Sequence, residues 1–177
     1  KRIRADFINI YKTNIPVLVV MISIVLMYSL DIILARRFFE PQNAGEFAFI
    51  SLIGKVIIFA SAAIGKAMFP LSSEEHEKGN NTSYLLKKSV ILVSLISFSM
   101  LILYFLFPEF IITLISLGSK QYLGGAEILF IIGLAYSLLS IANIIILYKL
   151  SVDKIGNTAY LSLIFVIFYF LLLSIYN

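Results

Sequence analysis

Residues 47–69 read FAFISLIGKVIIFASAAIGKAMF, twenty-three positions broken by only two charges, Lys55 and Lys66. A helix needs about 20 mostly apolar residues to cross the roughly 30 Å hydrocarbon core of a bilayer. This stretch has that length, shows no period-2 alternation and lacks an internal proline. It is expected to be a spanning helix, and four more like it lie outward along the chain, over 15–34, 89–107, 125–147 and 158–175. The expected fold is an all-α integral membrane domain of five transmembrane helices. Absence of alternation argues against a transmembrane barrel. Many Ile and Val do not argue for strands, because in lipid the backbone must satisfy its own hydrogen bonds.

The composition agrees. Of 177 residues, 60% are apolar and 14% charged, against about 25% charged in a soluble domain, and the mean hydropathy is +1.00. Such a chain is neither an ordinary soluble domain nor disordered. The net charge of +4 is not clustered as a nucleic-acid surface requires, so no nucleic-acid partner is expected. Without cysteine there is no disulfide, thiolate metal site or Cys nucleophile. A start of KRIR before an apolar run too long for a signal peptide, and an end at Asn177 just past another apolar run, give the expectation of a piece of a longer protein.

Prolines and charges set the limits. Pro16 is expected to open the first span, Pro41 to lie in the first loop, and Pro70 and Pro108 to close the second and third spans. Lys1, Arg2, Arg4, Lys12, Lys78, Lys87, Lys88, Lys149 and Lys154 fall on one side, nine in all, against three (Arg36, Arg37, Lys120) on the other. The positive-inside rule then places the N-terminus and the even-numbered loops in the cytoplasm of a multi-pass cell-membrane protein. In the longest loop, Ser72-Ser73-Glu74-Glu75 and Asn80-Asn81-Thr82-Ser83 both read as helix N-caps. The second leads into a surface helix that joins the third span. Both asparagines match a glycosylation sequon, but capping is the better reading on a cytoplasmic loop. Residues 110–117 are apolar but too short to span, and are expected to lie at the outer interface or to dip into the membrane.

No loop is large enough for a catalytic domain. The chain has no Walker loop, dinucleotide fingerprint or zinc-binding helix motif, so it is not expected to be an enzyme or to hold a cofactor or metal. The one histidine, His76, reads as a solvated loop residue. Charges within spans carry more information, since each costs about 2.5–3.5 kcal/mol at a helix centre on insertion scales. Lys66 lies four residues before Pro70 and can snorkel to the surface. Lys55 lies nine residues past Glu46, about 13 Å deep, and Asp31 lies five before Arg36, about 8 Å deep. Adjacent antiparallel spans bring the two within pairing reach. They are then either an ion pair that fixes helix packing or charges lining a substrate path. Ser51, Ala62 and Lys66 share the face of Lys55, at spacings of 4, 7 and 11 residues from it. Gly54, Ser61 and Gly65 form a neighbouring small-residue seam that permits close helix approach. Tyr136, Ser140 and Asn143 form a second polar stripe on the fourth span, open to either interhelical bonding or cavity lining.

Three segments resemble a family. Residues 31–47, DIILARRFFEPQNAGEF, are similar to the pattern in polysaccharide-export flippases: an Asp late in a span, a short link, Pro-Glu/Gln-x-Ala-Gly, then an aromatic residue. The end of the second span, Phe69-Pro70-Leu71-Ser72, resembles that family's Phe-Pro-x-Ser, and Leu117-Gly118 to Ala126 resembles its Phe/Leu-Gly-x-x-x-Tyr-x-x-Ala loop. These motifs occur in matching order. The family is the O-antigen type of the multidrug/oligosaccharidyl-lipid/polysaccharide exporter superfamily, and the likeness is to the start of its second six-helix lobe. The resemblance implies a partial MATE-like C-terminal lobe whose partner is a missing N-terminal lobe of the same chain. It also implies flipping of a polyprenyl-diphosphate-linked oligosaccharide across the membrane by alternating access. Lys55 would attract the diphosphate, and Asp31 would hold Lys55 in its absence or couple to a cation. A cation-coupled multidrug extruder of the same fold, a membrane enzyme of lipid-linked glycan assembly and a scaffold subunit are the rivals.

Overall fold

The computed structural model describes residues 2–153; the fifth expected span, 158–175, and Lys154 lie outside them. The described residues are helical with short connections and contain no strand. Five α-helices follow in order: α1 (Arg2–Phe38), α2 (Pro41–Glu77), α3 (Ser83–Leu106), α4 (Pro108–Ile115) and α5 (Ala126–Ser151), with a 3-10 helix (Lys120–Gly125) before α5. Four of these segments are long and apolar enough to cross a membrane: Val17–Phe38, Pro41–Glu77, Ser83–Leu106 and Lys120–Ser151. The bundle's flanks carry Phe98, Phe105, Ile131 and Leu138, all exposed. Such a surface is a liability in water and the ordinary face of a protein in lipid. The chain is an all-α, multi-pass membrane protein in its described part.

Two helix limits differ from expectation, both at proline. Pro16 does not open α1, which starts at Arg2 and runs through it. Pro70 does not close α2, which continues for seven more residues to Glu77. A proline removes one i→i−4 bond, and a membrane helix tolerates this when neighbours and hydroxyls stabilise the turn. Here Ser72 Oγ donates to Met68 O at 2.8 Å and lies 2.6 Å from Ser151 Oγ on α5. Ser72 is therefore a buried anchor late in α2 rather than an N-cap. The helix stops at Gly79, whose φ of +77° suits glycine. The other expected cap holds in part: Asn81 Oδ1 accepts from Ser83 N at 2.9 Å, while the Thr82 hydroxyl instead meets Tyr148 Oη at 2.8 Å. Pro108 ends α3 and begins α4, and Pro41 opens α2.

α2 and α5 are the central pair and run parallel. Gly54 lies against Ile132 and Tyr136, and Gly65 against Leu147 and Ile144; a Cβ added at Gly54 would come within 2.6 Å of Ile132, and one at Gly65 within 2.8 Å of Leu147. With Ser61 and Ser72 the seam steps by 7, 4 and 7 residues along α2, the spacing of a close parallel helix pair. In lipid no hydrophobic effect drives this association, so close van der Waals contact between small residues carries it. α3 runs antiparallel along the pair, with Tyr104 against Gly133 and its hydroxyl donating to Ile53 O at 2.7 Å. One apolar cluster (Ile50, Ile53, Ile57, Tyr104, Ile112, Leu129) lies toward the Glu40 end. Another (Met68, Val93, Ile144) lies toward the Gly79 end. α1 leans on both central helices: Val20 packs with Ile146 and Leu150 of α5, while Asp31 reaches α2.

Candidate functional site

The first link is short. Only Phe39 and Glu40 separate α1 from α2, so the two helices leave the turn as close antiparallel neighbours. That places Asp31, seven residues before the end of α1, level with the first third of α2. Asp31 Oδ1 accepts from Lys55 Nζ at 3.2 Å. Its other oxygen, Oδ2, accepts from Ser51 Oγ and from Tyr136 Oη at 2.5 Å. The two hydroxyls are themselves 2.8 Å apart. Three helices thus meet on one carboxylate. An ionised carboxylate only accepts, and here it receives one ammonium donor and two hydroxyl donors, the short charge-assisted kind.

Burial makes this arrangement consequential. Ser51 is fully buried and the Lys55 side chain retains 8% of its exposure, the Asp31 side chain 20%. A charge so placed is tolerable only with an opposite charge and good hydrogen bonds. Lys55 has both, and its ammonium also lies 5.7 Å from the centre of the Tyr136 ring, within cation–π range. Yet an ammonium has three donors. Asp31 accepts one of them, and the other two have no hydrogen-bonding partner among the described residues.

Of the seven residues singled out in the sequence, four meet here: Asp31, Ser51, Lys55 and Tyr136. Three do not join them. Ser140 is buried one turn past Tyr136 on α5, with its hydroxyl unpartnered among the described residues. Asn143 is half-buried, a further turn along. Lys66 is exposed, eleven residues beyond Lys55 on α2, about 16 Å away along the axis. It forms no ion pair among the described residues. The small-residue seam does what its composition promised, bringing Tyr136 close enough for its hydroxyl to reach Asp31. Sequence reading passed over the second polar cluster, Ser72–Ser151 and Thr82–Tyr148, which ties α2 and α3 to the last turn of α5. Only the register of the helices exposes it, because single serines in apolar helices are too common to signal a contact.

No group of three or more potential metal ligands occurs among the described residues. Compared with known proteins, the chain matches no protein-family model, no curated protein and no solved structure. The likeness to polysaccharide flippases therefore stands on its three sequence motifs.

Proposed function

We propose that these helices belong to a membrane transporter that flips a lipid-linked oligosaccharide, and that Lys55 is its contact with the anionic diphosphate of that substrate. One observation carries the reading: Lys55, buried within an apolar spanning helix, bonds through one of its three donors to Asp31, and the other two have no hydrogen-bond partner among the described residues. An ammonium is a suitable point-charge partner for phosphate. Asp31 is itself held by Ser51 and Tyr136, so it can stay in place when Lys55 turns to an anion. The three flippase-like motifs supply the substrate class, and the partners follow from it: the bilayer, the lipid-linked glycan and an N-terminal lobe.

One observation favours a plainer alternative. The Asp31 carboxylate accepts from three donors within the bundle, as in an ion pair that only fixes packing. The two readings part on a double substitution, read as surface glycan and accumulated lipid-linked precursor in cells carrying the variant. Lys55→Met alone leaves Asp31 without its counter-charge and is expected to destabilise the protein by about 3–5 kcal/mol, the usual cost of breaking a buried pair. Adding Asp31→Asn removes the stranded charge and restores thermal stability. On the transport reading this stable double variant still fails to export, and Lys55→Arg keeps partial activity. Full export by the stable double variant would remove Lys55 from the substrate path.

A further inference from the structure

Ser97 on α3 and Ser140 on α5 are 3% and 1% exposed. Both hydroxyls are shut off from the surface and have no hydrogen-bond partner among the described residues. Their behaviour contrasts with that of other buried serines in these helices. Ser23, Ser61, Ser72 and Ser137 each donate to the carbonyl four residues earlier, at 2.7–2.8 Å. The same acceptor is available in principle to Ser97 and Ser140, and neither takes it.

The helix register shows where the two hydroxyls sit. α3 and α5 are antiparallel; the contact of Tyr104 with Gly133 fixes their alignment, and Val93 and Ile144 fall in one apolar cluster further along both helices. Ser97 is four residues after Val93 and seven before Tyr104; Ser140 is four before Ile144 and seven after Gly133. Equal steps of seven from the Tyr104–Gly133 contact, in keeping with the shared Val93/Ile144 cluster, put the two serines on facing sides at one level. Ser61 of α2 reaches that level too, four residues before Gly65 as Ser140 is four before Ile144, its neighbour across the seam. A layer of three small hydroxyl residues therefore separates the two apolar clusters of the core.

We propose that Ser97 and Ser140 form a binding site for one buried water molecule, which bridges α3 to α5 inside the membrane. A hydroxyl offers one donor and two acceptor positions, and buried polar atoms find partners. In hydrocarbon no bulk water supplies them. Two facing, unpartnered hydroxyls are the kind of polar partners a bridging water needs, and a bound water typically makes about three hydrogen bonds. With no carboxylate in the layer, a neutral ligand fits better than a cation. The bridge gives α3 and α5 a polar tie at mid-depth, separate from the Thr82–Tyr148 bond near the Gly79 end.

The test is infrared spectroscopy of the lipid-reconstituted protein in ordinary and oxygen-18 water, with wild type and Ser97→Ala/Ser140→Ala compared. A confined water gives an O–H stretching band that moves with the heavier oxygen, whereas a serine hydroxyl band does not. The expected result is such a band in wild type and its loss in the double variant. Persistence of every isotope-sensitive band in the double variant would overturn the proposal. Should that variant fail to accumulate, Ser140→Ala alone removes one of the two holders, and the band must then weaken or shift; an unchanged band has the same overturning force. Thermal unfolding supplies a second reading. Each single variant should lose roughly 2–6 °C, and the pair should lose little more than the worse single one. Strictly additive losses would mean that the hydroxyls act separately and share no water. Coupled losses without an isotope-sensitive band would mean a direct hydroxyl–hydroxyl bond, and would equally remove the water.

Discussion

Tyr136 does two jobs that substitution can separate. Its ring packs over Gly54 and faces the Lys55 ammonium, and its hydroxyl donates to Asp31 at 2.5 Å. Tyr136→Phe keeps the first and removes the second. The expected loss is about 1.5–3 kcal/mol, as for other hydrogen bonds to a charged group, measured as a fall in unfolding temperature of the purified protein. Ser51, which also donates to Asp31 Oδ2, limits the damage, so Ser51→Ala combined with Tyr136→Phe should cost more than the sum of the single changes. At this scale the pairing of Asp31 with Lys55 was legible in the sequence, since depth can be counted from the nearest charged loop residue. The convergence of Ser51 and Tyr136 on one oxygen was not. Both lay on polar faces, but a face states only a direction. Which residue of α5 stands opposite Ser51 depends on the register of two helices 85 residues apart in sequence, and side-chain spacing within one helix holds no information on that.

The limits of α1 and α2 differ from expectation at proline, since Pro16 and Pro70 both lie inside a helix. In water a mid-helix proline costs about 3 kcal/mol or more, and that prior is sound for a helix with little other support. α2 has other support: Ser72 bonds back to Met68 and across to Ser151, and the residues after it are polar enough to leave the membrane as helix. The small-residue seam, by contrast, was read correctly, because its cause is local. A glycine on a helix face allows close approach whatever the partner, and the partner proves to be α5. Two glycines of α2 make a controlled comparison. A Cβ at Gly54 would stand 2.6 Å from Ile132 Cγ2 and 2.8 Å from the Tyr136 ring, whereas one at Gly45 would meet nothing within 4 Å. Gly54→Ala is therefore expected to cost about 1–3 kcal/mol through overpacking and to loosen the Tyr136–Asp31 contact. Gly45→Ala should be neutral or slightly stabilising through helix propensity. Equal unfolding temperatures for the two variants would mean that α2 and α5 are not pressed together at Gly54.

The whole molecule has two chemically distinct ends. One carries three bases, Arg36, Arg37 and Lys120, with four acids, Glu40, Glu46, Glu109 and Glu127. The other carries Lys78, Lys87, Lys88 and Lys149 (in the last turn of α5) beside Glu74, Glu75, Glu77 and Asp153, and by the sequence count Lys1, Arg2, Arg4, Lys12 and Lys154 bring its bases to nine. On α2, Glu46 and Glu74 are 28 residues apart, about 42 Å along a helix, enough for the hydrocarbon core and both interfaces. The basic excess predicts that the Gly79 end faces the cytoplasm. The test exploits a chain without cysteine. Glu77→Cys and Lys120→Cys place single thiols at exposed positions on opposite ends. Glu77 is preferable to Gly79, whose φ of +77° a cysteine would strain. In intact cells a membrane-impermeant maleimide should label the Lys120→Cys protein and spare the Glu77→Cys protein; permeabilised cells should label both. Labelling of Glu77→Cys from outside would invert the assignment. It would also put Lys55, nine residues from Glu46 and nineteen from Glu74, in the cytoplasmic half of the membrane instead of the outer half. If the helices flip a lipid-linked glycan as proposed, its phosphate would then meet Lys55 early in its passage rather than late.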